Sequence, residues 1–244
     1  MNKLILMRRN IKQSLFVKNF QEKKDIVQQL QDISYIKSID YSQKKVVYCF
    51  WTGTNEMSDN RISCLIQMHE KIGVPIILVT RENLEYFIKK EDLHPAYEFL
   101  SETHKADYLR VYFMHFFGGG YSDIKYPSGS WISSFDKIDS TIDLWMIGYD
   151  DINNGEHVHL SSFICKSNTD LTRDWYERIV KILDDKLELL IQYPSTGPQC
   201  FKTTEKMYPL EWRELLGQTF ENVIVKYKEN YNNTLPHPFC HWYR

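Results

Sequence analysis

Residues 105 to 125 read KADYLRVYFMHFFGGGYSDIK, and no other stretch restricts the fold so tightly. The segment opens with an acid and a base three residues apart, Asp107 and Arg110. It continues through a dense run of aromatic and aliphatic side chains and breaks at Gly118-Gly119-Gly120. Apolar side chains on most sides of a helix demand burial on most sides. A helix over about 101–117 is therefore expected to sit inside the molecule, with Leu109, Phe113 and Phe116 along one stripe. The glycine triplet ends it. Tyr121 to Ile124 then have room for a short strand only, which would carry Asp123 and Lys125 out of the core.

The flanking sequence provides a setting for such a helix. Lys45 to Trp51 is a continuous apolar run, the pattern of a strand covered on both faces. It stops at Thr52-Gly53-Thr54-Asn55. A helix over about 60–72, capped by Ser58 or Asp59 and ended by Gly73, leads to a second strand over 74–80. Strand, helix and strand in that order imply parallel pairing. Further along, the pattern predicts a helix over 82–90, strands at 144–149 and 159–165, and a long helix over 168–191. A last helix near 204–216 and a strand at 222–226 precede a Pro-rich tail. Residues 1 to about 43 read as one or two amphipathic helices outside the main body. The whole is expected to be one α/β domain with a mostly parallel sheet flanked by helices and an N-terminal helical addition.

Composition excludes several alternatives. Of 244 residues, 43% are hydrophobic and 25% charged, as in ordinary globular proteins, and the formal net charge of −2 argues against a surface built to wrap nucleic acid. The five cysteines, Cys49, Cys64, Cys165, Cys200 and Cys240, are widely spaced with no Cys-x-x-Cys, so reduced thiols in a cytosolic setting are expected. The apolar run near the start is too short for a signal peptide, and no window has the length of a membrane span.

Several residues could carry chemistry, and each has a plain structural alternative. Asp107 and Arg110 share one side of a helix and could form a structural ion pair. A dehydrated pair is seldom the cheapest way to gain stability, however. Asp123 could cap a turn, or could hold a divalent cation or a sugar hydroxyl. Lys125, two residues on, would face the same way in a regular strand and suits phosphate oxygens. Trp51 offers a flat ring at a strand's carboxyl end, although a tryptophan there is more often core. His237 and His241 lie in the tail, separated by prolines and aromatics, and could contribute to a metal site only if the tail folds back.

Taken together, these residues resemble the sugar-nucleotide glycosyltransferases with a DXD motif, most closely the bacterial capsular polysaccharide synthesis proteins, and they are similar to glycosyltransferase family 32. The shared signature is Asp-x-x-Arg on a helix, an aromatic segment, Gly-Gly-x-Tyr, then x-Asp-x-Asp. Here it reads Asp107-Tyr108-Leu109-Arg110 followed by Gly119-Gly120-Tyr121-Ser122-Asp123-Ile124-Lys125. The recognisable part spans about residues 45 to 150. The resemblance implies a GT-A-like (Rossmann-like) fold over residues 1–244. Residues 1–43 would form a helical extension, 44–150 the nucleotide-sugar-binding part, and 151–244 the acceptor side and a closing tail.

It further implies transfer of a hexose from a UDP-sugar or GDP-sugar to a hydroxyl of a capsular or surface polysaccharide or a lipid-linked oligosaccharide precursor. The anomeric configuration would be retained, and the protein would lie in the cytoplasm or at the inner face of the membrane. Trp51, Thr52, Gly53, Tyr121 and Trp242 would contact the donor. Asp107 and Arg110 would hold the donor sugar, and the glycine break would let the nucleotide approach. Asp123, with His241 from the tail, would bind Mg²⁺ or Mn²⁺. The acceptor side would use Asp150, Asp151, Asn153 and the Ser195–Pro198 loop. One position departs from the family pattern, because Lys125 stands where the motif's last aspartate serves as the main metal ligand. That change weakens the expectation of a metal and keeps a second reading open, a non-catalytic homologue that binds a sugar nucleotide or a glycan.

Overall fold

The computed structural model describes residues 21–149, 159–194 and 217–236 and the single positions 210, 215 and 238. Residues 21–31 are helical (α1). They are followed by α2 (Ile33–Ser38), β1 (Val47–Trp51), α3 (Asp59–Lys71), β2 (Ile76–Thr80), α4 (Leu84–Phe87), α5 (Glu102–Phe116) and β3 (Gly119–Ser122). The second half contains α6 (Ile132–Ser140), β4 (Met146–Ile147), β5 (Ser162–Cys165), α7 (Asp170–Gln192), α8 (Gln218–Lys226) and β6 (Tyr231–Asn232).

The strands form one sheet in the order β2-β1-β3-β5-β4-β6. β1 pairs in parallel with β2 and β3, and β4 with β6, whereas β5 runs antiparallel to both its neighbours. Every strand but β5 therefore points the same way, and the expected mixed, mostly parallel sheet flanked by helices is present. Side chains alternate between its two faces. Tyr48, Phe50, Ile77 and Val79 enter a core shared with α5, α7 and α8. Val47, Cys49, Ile76 and Leu78 enter a second core shared with α3 and α6. Covering both faces requires the unbroken apolar runs seen in β1 and β2.

Local signals explain where the elements stop. Ser58 caps α3 by accepting a hydrogen bond from the Arg61 amide, and Ser101 caps α5 through the His104 amide. Gly73, just past α3, takes φ +83°, the left-handed conformation that a helix terminator requires. The triple glycine serves the protein's own packing. Gly119 has φ +90°, and a Cβ there would lie 2.8 Å from the Val46 carbonyl oxygen. A Cβ on Gly118 would lie 2.9 Å from the Ser167 amide. Both contacts are at the amino end of β3, away from Asp123, so the expectation that these glycines open a path for a nucleotide is corrected. They let one strand enter beside its neighbours.

Four other expectations need correction. Residues 222–226 form no strand but the last part of α8, because Thr219, Phe220, Val223 and Ile224 are buried at helical spacing. Phe116 does not join the buried stripe of α5 and is 48% exposed near the helix end. The expected helix over 82–90 shrinks to α4, with short 3₁₀ turns following at Lys90–Asp92 and Pro95–Phe99. The strand over 144–149 contracts to Met146–Ile147, since its partner β6 offers two residues for parallel pairing. The helix near 204–216 falls largely outside the described residues. Among the described residues no helix is long and apolar enough to cross a membrane.

Candidate functional site

The carboxyl ends of β1 and β3 are neighbours, since Val47 pairs with Gly120 and Tyr48 with Tyr121. This is the edge of a parallel sheet where ligands characteristically bind. On the face covered by α5, Phe50 stacks on Tyr121 with ring centroids 5.3 Å apart and planes at 24°. The Arg110 guanidinium lies 4.6 Å from the centre of the Tyr121 ring, within cation–π range. An apolar run of alternating residues thus sets an aromatic floor, and the helix drops a charged group onto it.

Tyr121 is the hub. Its hydroxyl donates to Asp123 Oδ1 at 2.6 Å and accepts from Arg110 Nη2 at 3.1 Å. Arg110 Nη1 donates to the Leu160 carbonyl at 2.9 Å, which ties α5 to the segment entering β5. Lys125 Nζ lies 3.0 Å from Asp123 Oδ2, with its side chain 7% exposed. The Asp123 amide donates to the Ser161 carbonyl at 2.7 Å, and Arg61 Nη1 on α3 donates to the Ile124 carbonyl at 2.6 Å. The segment that bears Asp123 and Lys125 is thus pinned from two directions, although regular pairing ends at Ser122.

Asp107 is fully buried, and Arg110 Nη2 comes within 3.1 Å of its Oδ1. The angles do not make a hydrogen bond of this contact, and neither carboxyl oxygen has a hydrogen-bond partner among the described residues. Its attraction to Arg110 is therefore coulombic only. Burial pushes the Asp107 pKa up to about 8, with Arg110 pulling the other way and the Asp123 charge adding to the rise. Burial therefore favours the protonated form of Asp107. Asp123 behaves oppositely. Burial alone would raise it, but Lys125, Arg110 and the Tyr121 hydroxyl outweigh burial and hold it below the ordinary carboxylate value. Two carboxyls linked through one arginine are thus split into an acid and an anion.

The loop after β1 lies on the other side of the same edge. Trp51 is half-buried and packs on the core opposite Tyr121, with its indole N–H donating to the Asn55 carbonyl at 2.9 Å. Thr52 Oγ1 donates to Glu102 Oε2 at 3.0 Å, which fastens the loop to the first turn of α5. A Cβ on Gly53 would meet Asn55 Oδ1 at 2.7 Å. A ligand touching both Trp51 and Arg110 would therefore have to straddle the sheet edge.

The structure brings together Asp107, Arg110, Tyr121, Asp123 and Lys125, and places Trp51, Thr52 and Gly53 on the adjacent strand end. Trp242, His241, His237, Asp150, Asp151, Asn153 and Ser195–Pro198 lie outside the described residues. Sequence reasoning passed over Phe50, Arg61, Glu102 and the Leu160 carbonyl. Phe50 was within reach, since strand alternation sets it on the face opposite Trp51. A backbone carbonyl contributed by a distant loop carries no sequence signal.

A divalent metal is implied by the resemblance, and the donors present do not fit one. Both Asp123 oxygens are occupied, one by the Tyr121 hydroxyl and one by the Lys125 ammonium. A dication held by Asp123 would be repelled by the Lys125 ammonium that lies 3.0 Å from the same carboxylate. Burial disfavours the charged form of Asp107, the nearby second carboxyl. Among the described residues no three His, Cys, Asp or Glu side chains gather as a metal-binding group. A separate cleft of about 490 Å³, lined by Lys44, Lys45, Gly119, Ile164 and Lys166 among others, opens at the amino end of β3, away from this cluster.

No family model matches the chain, and no curated protein matches it significantly. Among solved structures, one that matches is the PaToxG glycosyltransferase, at 12% identity and a TM-score of 0.49, covering 86% of this chain and 80% of that one.

Proposed function

We propose that this chain is a GT-A-like glycosyltransferase that moves a hexose from a nucleoside-diphosphate sugar to an acceptor hydroxyl. The observation that carries the reading is the buried group Asp107, Arg110, Tyr121, Asp123 and Lys125 at the carboxyl edge of the sheet. A buried carboxyl suits sugar hydroxyls, and the paired cations Arg110 and Lys125 suit a diphosphate. Trp51, Thr52 and Gly53 take the nucleotide side. The donor is a UDP-sugar or GDP-sugar. The acceptor is a growing capsular or surface polysaccharide or a lipid-linked oligosaccharide, a choice supported by the motif resemblance.

In the transfer, the bond from the anomeric carbon to the diphosphate oxygen breaks, and its electron pair leaves with the diphosphate. Arg110 and Lys125 stabilise the charge that grows there. Asp107 positions the sugar so that the acceptor oxygen bonds to the same face of the anomeric carbon. The acceptor's proton passes to the departing phosphate oxygen, and configuration is retained.

The test is release of nucleotide and transfer of hexose from a panel of UDP- and GDP-sugars with glycan acceptors. Turnover by the wild type, with a loss of about 100-fold or more in Asp123→Asn, supports the proposal. Unchanged turnover in Asp123→Asn overturns the site. Tight binding without turnover across the panel favours the second reading, a non-catalytic sugar-nucleotide or glycan-binding homologue. The occupation of both Asp123 oxygens by Tyr121 and Lys125 speaks for that reading.

A further inference from the structure

We propose that Lys125 is the resident cation of this site, so that the diphosphate of a nucleotide sugar is held, and departs, without a divalent metal. The inference rests on the donor reading above and adds to it how the leaving group is stabilised. Lys125 Nζ sits 3.0 Å from Asp123 Oδ2, and Arg110 Nη2 sits 3.7 Å from Asp123 Oδ1. The carboxylate is therefore flanked by a cation on each oxygen, with the Tyr121 hydroxyl also on Oδ1 at 2.6 Å.

The two cationic side chains are each 7% exposed, whereas the Asp123 side chain keeps 24% of its surface open. Asp123 thus acts as a counter-ion that holds the cations in place before a diphosphate arrives. Each of its oxygens already accepts a close donor, and a metal held there would have to share the carboxylate with the Lys125 ammonium. Positions are fixed by contacts from two parts of the fold: the segment before β5, through Leu160 for Arg110 and Ser161 for the Asp123 backbone, and α3, through Arg61 for the Ile124 carbonyl. Such preorganisation is what a site needs to face charge that develops during bond breaking. When the anomeric carbon–oxygen bond breaks, the electron pair stays on the diphosphate oxygen. The positive charges of Lys125 and Arg110 oppose that charge.

The experiment is calorimetric titration of the full chain with UDP and with GDP, in EDTA and in millimolar Mn²⁺. The wild type is expected to bind at least one nucleotide with a Kd that agrees within about twofold between the two buffers. Lys125→Met should weaken binding in EDTA by about tenfold or more, and Lys125→Arg should restore most of it. Lys125→Asp should bind only when Mn²⁺ is present. Wild-type binding that collapses in EDTA and returns with Mn²⁺ overturns the inference and leaves the donor reading standing. So does a folded Lys125→Met that binds as tightly as the wild type. Failure of both nucleotides to bind in either buffer overturns the donor reading, and this inference with it. The comparison of wild type in two buffers stands whether or not the variants fold.

Discussion

Asp107 and Arg110 on α5, and Asp170 and Arg173 on α7, are both couples of an acid followed three residues later by an arginine. On a helix that spacing brings the two charges together in each case. The α7 couple is the closer, with Arg173 Nη1 2.7 Å from Asp170 Oδ1 in a good hydrogen bond, and its members are 61% and 47% exposed. The α5 couple is longer, at 3.1 Å and poorly aligned, and its members are 0% and 7% exposed. Distance alone would rank the α7 pair as the stronger. Solvent reverses the ranking, because water screens the α7 pair and is absent from the α5 pair. The spacing says that two groups meet, and burial decides whether the meeting matters.

The largest difference should come from deleting each arginine. Arg110→Ala removes the donor to the Leu160 carbonyl and the Tyr121 hydroxyl, the charge beside buried Asp107, and one of the two cations beside Asp123. A loss of about 3–5 kcal/mol in urea denaturation is expected. A loss below about 1 kcal/mol would mean that water reaches the pocket and that the contrast with α7 is false.

A second difference lies in pH. The folded pKa of Asp107 is about 8, above the ordinary carboxylate value. Between those two values the folded chain binds a proton that the unfolded chain has lost, so this group's contribution to stability falls as pH rises through that window. Asp107→Asn should abolish the fall and gain on the wild type by on the order of 2 kcal/mol between pH 5 and pH 8, read from denaturant midpoints. Asp123 works with the opposite sign. Its folded pKa is depressed, so its contribution is present above the unfolded carboxylate value and is lost as pH falls through the folded one. The readout is the difference between the two proteins, since buried His104, whose pKa burial lowers to about 4, makes stability rise with pH over part of the same window; parallel profiles for wild type and Asp107→Asn would show that Asp107 is ionised there.

Smaller again is Tyr121→Phe. The ring keeps its stacking on Phe50, but Arg110 and Asp123 lose the hydroxyl that joins them. About 1–2 kcal/mol should be lost in the same denaturation assay. No loss would mean that the hydroxyl joins nothing.

The same contrast explains what was legible beforehand. α5 was readable almost to its ends, because a run of apolar side chains followed by glycine has one reasonable solution. The members of the cluster on α5 and β3 were readable because they lie close in sequence, at helix and strand spacings. Residues 222–226 misled, because Val223, Ile224 and Val225 are β-branched and favour strands. In the structure Val225 is 73% exposed while Phe220, Val223 and Ile224 are buried, so the helical burial pattern wins over propensity. What could not be read was anything supplied by backbone or by distant chain. The Leu160 carbonyl under Arg110 and the Arg61 side chain on Ile124 depend on topology, and a carbonyl looks the same at every position.

The smallest predicted effect is the one that gives the comparison its scale. Arg173→Ala removes a hydrogen bond that is shorter than the contact at Arg110, yet it should cost only about 0.3 kcal/mol, because water replaces the lost partner on both sides. The carboxylate it leaves behind is not stranded either. Asp170 lies in the first turn of α7, where the amino-terminal end of the helix favours negative charge. Adding about 0.5 M salt should shrink even that small loss, whereas the loss in Arg110→Ala should depend much less on salt, since buried pairs are screened less than exposed ones. The two arginine variants, each measured at low and high salt, therefore separate a screened pair from a desolvated one without reference to any ligand. If both losses shrink alike, the Arg110 site is wet, and the case for a preorganised cationic pocket at the sheet edge weakens with it.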